Sequence, residues 1–157
     1  MTPNRNLSFS RLLKKLLASI ALSTLVPSRV RVLLHKRRGV KFDDYKTVFI
    51  GPGVYLDGLL PQNIRIGKGV IITSGVHILT HYISTKELSK DTGEHFNFTS
   101  GKVIIGDNVF IGLNTVIARP VMIESNVIIG ANSVVTKNFG ANLIVGGNPA
   151  RIIKKIG

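Results

Sequence analysis

The 157 residues carry 21 Lys and Arg against 8 Asp and Glu, a formal charge of +13, and no Cys; the length is that of one compact domain. Ten of the bases (Arg5, Arg11, Lys14, Lys15, Arg29, Arg31, Lys36, Arg37, Arg38 and Lys41) fall within residues 1–42, which hold no acid, so the other 115 residues, with eleven bases and eight acids, are close to neutral. This asymmetry speaks against a uniformly basic nucleic-acid binder, and the absence of Cys excludes a disulfide framework, a thiolate metal site and a cysteine nucleophile.

Residues 1–42 read as a basic helical segment preceding a domain over 43–157. Phe9, Leu12, Leu13, Leu16, Leu17 and Ile20 form one stripe at helical spacing within residues 9–26, with Arg11, Lys14, Lys15 and Ser19 opposite. The least polar stretch, Leu16 to Val26, is 11 residues long and includes Ser19, Ser23 and Thr24, far short of the ~20 needed to span a bilayer. Its length suits the core of a signal peptide, but no A-x-A-like site follows. The chain runs instead into Pro27-Ser28-Arg29 and a second basic helix ending at Arg38 and Gly39. Pro27 suits a first helical turn, Gly39 the residue beyond the last, and Lys36, Arg37 and Arg38 the C-terminal dipole. Two uses are open for the pair: packing on an end or flank of the domain, or peripheral docking on an anionic membrane leaflet.

A period of six then takes over. Ile50 and Leu56 with Val54, and Ile66, Ile72 and Ile78 with Val70 and Val76, share one register. Between Ile78 and Ile105 the spacing is 27, not a multiple of six, and residues 82–102 are polar and out of phase. They read as an extruded loop, a candidate lid or binding loop on a rigid scaffold. The period resumes with Ile105, Ile111, Ile117, Ile123 and Ile129, then Val135; Val109, Thr115, Val121, Val127 and Ser133 lie four after the isoleucines. Gly106, Gly112 and Gly130 follow directly, and Asn108, Asn114, Asn126 and Asn132 stand three after.

No amphipathic helix has this period, and simple strand alternation would not hold Gly and Asn in fixed phase. The pattern describes a polygon: Ile points inward from a short strand, the residue four on fills the next inward corner, and Gly or Asn between them tolerates the positive φ of a sharp corner. Three hexads close a triangular coil, and stacked coils bury a continuous ladder. Pro120 and Glu124 interrupt the pattern, so their corner must turn differently. The expected fold class is all-β, a parallel β-helix with N-terminal α-helices and an extruded loop.

The hexads, followed by Ser133-Val134-Val135-Thr136-Lys137-Asn138 and Gly147-Asn148-Pro149-Ala150-Arg151, resemble the hexapeptide-repeat acyltransferases of the left-handed parallel β-helix type. Within them the likeness, over about residues 48–156, is to the maltose and galactoside O-acetyltransferases and the sugar O-acetyltransferases of bacterial surface-polysaccharide synthesis. The resemblance implies a left-handed coil, against the usual right-handed crossover, and a cytoplasmic homotrimer with active sites between subunits. It further implies acetyl-CoA as co-substrate, a sugar or saccharide acceptor, and no metal.

It also implies site residues. His81, at the root of the excursion in His77-Ile78-Leu79-Thr80-His81, matches the family's catalytic His with a small gap. An imidazole of ordinary pKa ~6.5 can take a sugar hydroxyl's proton as the oxygen attacks a thioester carbonyl. The family's backbone oxyanion donor maps onto Leu113. Its coenzyme A contacts carry over onto Ala131, Thr136, Lys137 and Arg151, a small residue to admit the pantetheine and cations to meet phosphates. Phe110 replaces the Trp common at its position. Asp57, His77 and His95 are candidate acceptor contacts. With no Cys and no serine-triad pattern, direct transfer is preferred to an acyl-enzyme.

Competing readings on the same scaffold are an acetyltransferase for an antibiotic or amino-acid hydroxyl, a γ-type carbonic anhydrase, which would need three His ligands, and a non-catalytic scaffold.

Overall fold

A hexad is long enough for one strand of two or three residues and one corner, and no more. The computed structural model describes residues 9–83 and 98–157. Its first coil is β1 (Lys41–Phe42), β2 (Phe49–Ile50) and β3 (Tyr55–Leu56); its second is β4 (Ile64–Ile66), β5 (Ile71–Ile72) and β6 (His77–Ile78). A hairpin of β7 (His81–Ile83) and β8 (Phe98–Ser100) leaves the stack there. The third coil is β9 (Val103–Ile105), β10 (Phe110–Ile111) and β11 (Val116–Ile117), and the fourth is β12 (Met122–Ile123), β13 (Val127–Ile129) and β14 (Val134–Val135). Finally β15 (Leu143–Gly146) extends the stack, and β16 (Arg151–Lys155) folds back antiparallel on it, covering an edge that would otherwise be open for pairing.

Three sheets result, with strand orders β1-β4-β9-β12, β2-β5-β10-β13-β15-β16 and β3-β6-β11-β14. Apart from β15–β16, every pairing within them is parallel. The expected inward residues stack in register: Ile50, Ile72, Ile111, Ile129 and Val145 on one side, Leu56, Ile78, Ile117 and Val135 on the next, and Ile66, Ile105 and Ile123 on the third. All are at most 1% exposed. Val109, Thr115, Val121, Val127 and Ser133 fill the inward corners and are buried as well. Each buried Ile contributes about 1.5–3 kcal/mol by burial, so the ladder is the main source of stability.

The corners divide the work differently from the expectation. Asn108, Asn114, Asn126 and Asn132 take the left-handed conformation, with φ of 54–59°, and Gly53, Gly69 and Gly75 take it in the earlier coils. Gly106 and Gly112 do not; they are needed because a Cβ there would lie 2.7 Å from Ser125 N and 2.5 Å from Ala131 N of the next coil. The corner holding Pro120 has no left-handed residue, so it does turn differently, whereas Glu124 belongs to the next corner, which turns as the others do through Asn126.

Helices α1 (Phe9–Leu22) and α2 (Ser28–Arg38) precede the first coil. Pro27 stands just outside α2, while Gly39 ends it at φ 115°. The first of the two uses left open above describes α2. Helix α2 packs on the first coil: Val32 enters the core, and the buried Arg31 donates to Ala21 O (2.8 Å), Ile50 O (2.7 Å), Ser23 O (2.9 Å) and Val26 O (2.7 Å). Arg38, also buried, donates to Leu56 O (3.0 Å), Asp57 O (2.9 Å) and His35 Nδ1 (2.9 Å). Helix α1 instead leaves most of its apolar stripe exposed, Leu17 alone of the six being half-buried. The segment read as 1–42 is therefore tied into the β-helix, and β1 lies inside it.

His35 is buried, and that burial, with Arg38 and then Arg31 nearby, pushes its imidazole down to about 3. Folded protein thus stays unprotonated there while the unfolded chain takes up a proton below about pH 6.5. Stability is fully present above that pH and falls as pH drops toward 3. Denaturant melts between pH 6 and 4.5 should show a loss of about 1.4 kcal/mol per pH unit, and His35→Asn, which keeps an acceptor for Arg38, should flatten that slope.

Candidate active site

Two edges of the triangular stack are nearly regular; the third, between the β3-β6-β11-β14 sheet and the β1-β4-β9-β12 sheet, collects the departures. Residues 57–63 cross it after β3, the β7–β8 hairpin after β6, residues 118–121 after β11, and Thr136, Lys137 and Asn138 after β14. Chemistry-bearing side chains gather along this one line.

At its base Asp57 is wholly buried. Oδ1 accepts from Leu59 N (2.8 Å) and Leu60 N (3.2 Å), a turn that Asp forms readily. Oδ2 accepts from Thr80 N (2.9 Å), from Thr80 Oγ1 and from His81 Nδ1 (2.9 Å). Burial alone would raise this carboxyl, but the bonds from Thr80, Leu59 and His81 outweigh it and hold it at about 2. Asp57 is thus a carboxylate throughout the neutral range. It places the proton of a neutral His81 on Nδ1 and the lone pair on Nε2, the arrangement of an oriented general base. His81 is 26% exposed in its side chain, so the imidazole reaches the surface while its orienting partner does not.

Above this pair lies an open cleft of about 470 Å³ lined by Tyr82, Thr99, Ser100, Arg119, Thr136 and Lys137, among others. The Arg119 guanidinium stacks over the Tyr82 ring, 4.3 Å from its centroid. Among the described residues that line it are two cations, Arg119 and Lys137, and no carboxylate, a field suited to an anionic group such as a phosphate.

The expected site residues therefore divide. His81, Thr136 and Lys137 share the irregular edge. Leu113 and Ala131 lie on the edge between β10 and β11 and between β13 and β14, one coil apart, joined by Asn132 N donating to Leu113 O (2.7 Å). Both are exposed. Arg151 opens β16 beyond that edge, its Nη1 donating to Ala150 O (3.0 Å). One chain does not bring His81 and Leu113 together. His77 is exposed on the outer face of β6, its Nδ1 2.9 Å from Gly75 O and its ring 5.8 Å from that of Tyr55. His95 lies outside the described residues.

Asp57 departs from the acceptor contact expected of it: it has no exposed surface, and its oxygens are engaged by Leu59, Leu60, Thr80 and His81. Thr80, Arg119 and Tyr82 were not expected. Thr80 had a signal only in adjoining His81, its burial being evident from the structure alone; Arg119 had only its place beside the aberrant Pro120.

Residues 102–137 match the family model for the hexapeptide repeat of succinyl-transferase. The chain is 52% identical over 99 residues to Protein CapG of Staphylococcus aureus, covering 63% of this chain and 56% of that protein. Among solved structures it superimposes on a maltose O-acetyltransferase from Clostridium difficile 630 with TM-score 0.60, 25% identity and coverage of 98% and 90% of the two chains. It superimposes on a galactoside acetyltransferase in complex with coenzyme A with TM-score 0.66, 25% identity and coverage of 100% and 86%. The chain spans about half the length of the curated relatives it matches.

Imidazole nitrogen NMR should find neutral His81 protonated at Nδ1. Asp57→Asn, which presents an amide in place of the carboxylate, should shift the proton toward Nε2; an unchanged tautomer in that variant would remove the orienting role.

Proposed function

We propose that this chain, whose fold is the left-handed β-helix of the hexapeptide-repeat acetyltransferases, is an acetyl-CoA-dependent O-acetyltransferase acting on a sugar hydroxyl in bacterial polysaccharide biosynthesis, in the cytoplasm. The single observation that carries the reading is the Asp57–His81 pair at the root of the extruded loop, 2.9 Å apart, with the carboxylate buried and the imidazole at the surface.

In this reading His81 Nε2 takes the proton of the acceptor hydroxyl as its oxygen attacks the thioester carbonyl. The Leu113 N–H stabilises the oxyanion that forms. Collapse breaks the C–S bond, the imidazolium returns its proton to the departing thiolate, and the products are the acetyl ester and free coenzyme A. Asp57, kept ionised, stabilises the transient imidazolium. Ala131, Thr136, Lys137 and Arg151 hold the donor, and Arg119 adds a cation to the same cleft.

Because His81 and Leu113 occupy different edges of one prism, the reading requires a second subunit at each site, and in the expected homotrimer each site takes His81 from one subunit and the Leu113–Ala131 edge from its neighbour. A closed three-fold ring pairs two different edges of successive subunits and repeats the site three times.

Free-thiol release from acetyl-CoA across a panel of sugars and nucleotide sugars tests the activity, and His81→Ala should lower turnover by roughly 10²- to 10⁴-fold while leaving coenzyme A affinity nearly unchanged. Near wild-type turnover in that variant would refute the base assignment. Co-assembling equal amounts of inactive His81→Ala and Ala131→Trp subunits tests the shared site. About a quarter of the sites in random trimers would be intact, so activity should return to that level; a site built within one chain would recover none.

A further inference from the structure

We infer that α1 is an in-plane docking helix for an anionic bilayer, a surface role that does not rest on the acetyl-transfer reading. The observation is an apolar stripe that the fold leaves uncovered. Phe9 is 81% exposed, Leu12 56%, Leu13 44%, Leu16 56% and Ile20 41%, and Leu25 in the following turn is 89% exposed. The helix is held to the body by another face: Ala21 is buried, Leu17 and Ala18 are half-buried, and Arg31 clamps the carbonyls of Ala21, Ser23 and Val26. The stripe is therefore presented outward on a fixed support.

Val30 and Leu33 of α2 are exposed as well, and so are Lys14 and Lys15 of α1 and Arg29 and Arg37 of α2. Residues 1–42 contain no acid. Of the first acids beyond them, Asp43 is paired with Arg65 at 2.9 Å. An exposed apolar stripe on a helix that also carries long basic side chains suits the boundary between acyl chains and anionic headgroups, where the bases extend to the phosphates while the apolar groups insert. The same charge argues against a second copy as the occupant, because a contact between two such helices would bring together two acid-free basic segments. At 14 residues, α1 is too short to cross a bilayer, so it lies along the surface.

Cosedimentation of the full chain with vesicles tests this directly. The protein should partition onto vesicles containing phosphatidylglycerol, far less onto pure phosphatidylcholine, and lose most of its binding in 1 M salt, where screening shortens to ~3 Å. Lys14→Gln with Lys15→Gln should weaken partition by roughly 10- to 100-fold. Leu13→Gln with Leu16→Gln should do likewise, with an unchanged melting temperature because both residues are already exposed. Failure of the wild type to bind, equal binding to neutral vesicles, or a change of sedimentation coefficient in the leucine variant without lipid would each overturn the assignment, the last by showing that the stripe is buried between copies.

Discussion

A strand of two residues cannot satisfy its own backbone, and nearly every strand in this stack is two or three residues long. Each coil is therefore held by its neighbours: Ile71 N donates to Val109 O, Gly112 N to Ile129 O, and Gly130 N to Val145 O. Register between coils is set by the inward ladder, because a slip of one residue would turn Ile outward and a polar residue inward. The strands are consequently intolerant of insertion, and any length variation must be taken up at corners.

The structure places nearly all of that variation on one edge. Inward residues on the two sides of that edge are ten positions apart between Leu56 and Ile66, 27 between Ile78 and Ile105, and four between Val135 and Phe139, whereas the hexad spacing of six persists across the other corners from Ile66 onward. A corner freed from the hexad rule can hold a buried Asp, an extruded hairpin and exposed cations. The Asp57 carboxylate illustrates the consequence. It joins the turn after β3 to Thr80 and His81, one coil away, and Arg38 of α2 ties down the same turn from below through Leu56 O and Asp57 O. The helical segment thus supports the site's geometry even though none of its described side chains lines the cleft.

The two helices show how a single basic stretch acquires two roles. Arg31 and Arg38 are bases by sequence but structural members by position, spending their donors on main-chain carbonyls at the helix–coil junction. Within that junction His35 Nε2 and Arg38 Nε have no partner among the described residues, and burial together with the neighbouring Arg38 and Arg31 disfavours a further proton on His35. Helix α1 keeps its charge and its apolar stripe for the outside.

By itself the sequence determined the coil: the isoleucines at a spacing of six, the residues four after them and the asparagines three after them are local in the chain, and the period that makes them face inward is local too. It also marked the excursion at whose root His81 stands, because a broken period is visible in one dimension. Only the tertiary structure decided what Asp57 does, since its partners Thr80 and His81 lie 23 and 24 residues away and meet it solely because two coils stack. It likewise decided that Leu113 and His81, each implied as a site residue by the family resemblance, stand on different edges, and that of two neighbouring basic helices one is packed on the first coil while the other leaves apolar side chains exposed. Burial is a property of what the rest of the chain covers, and an apolar stripe carries no mark of whether the fold will cover it.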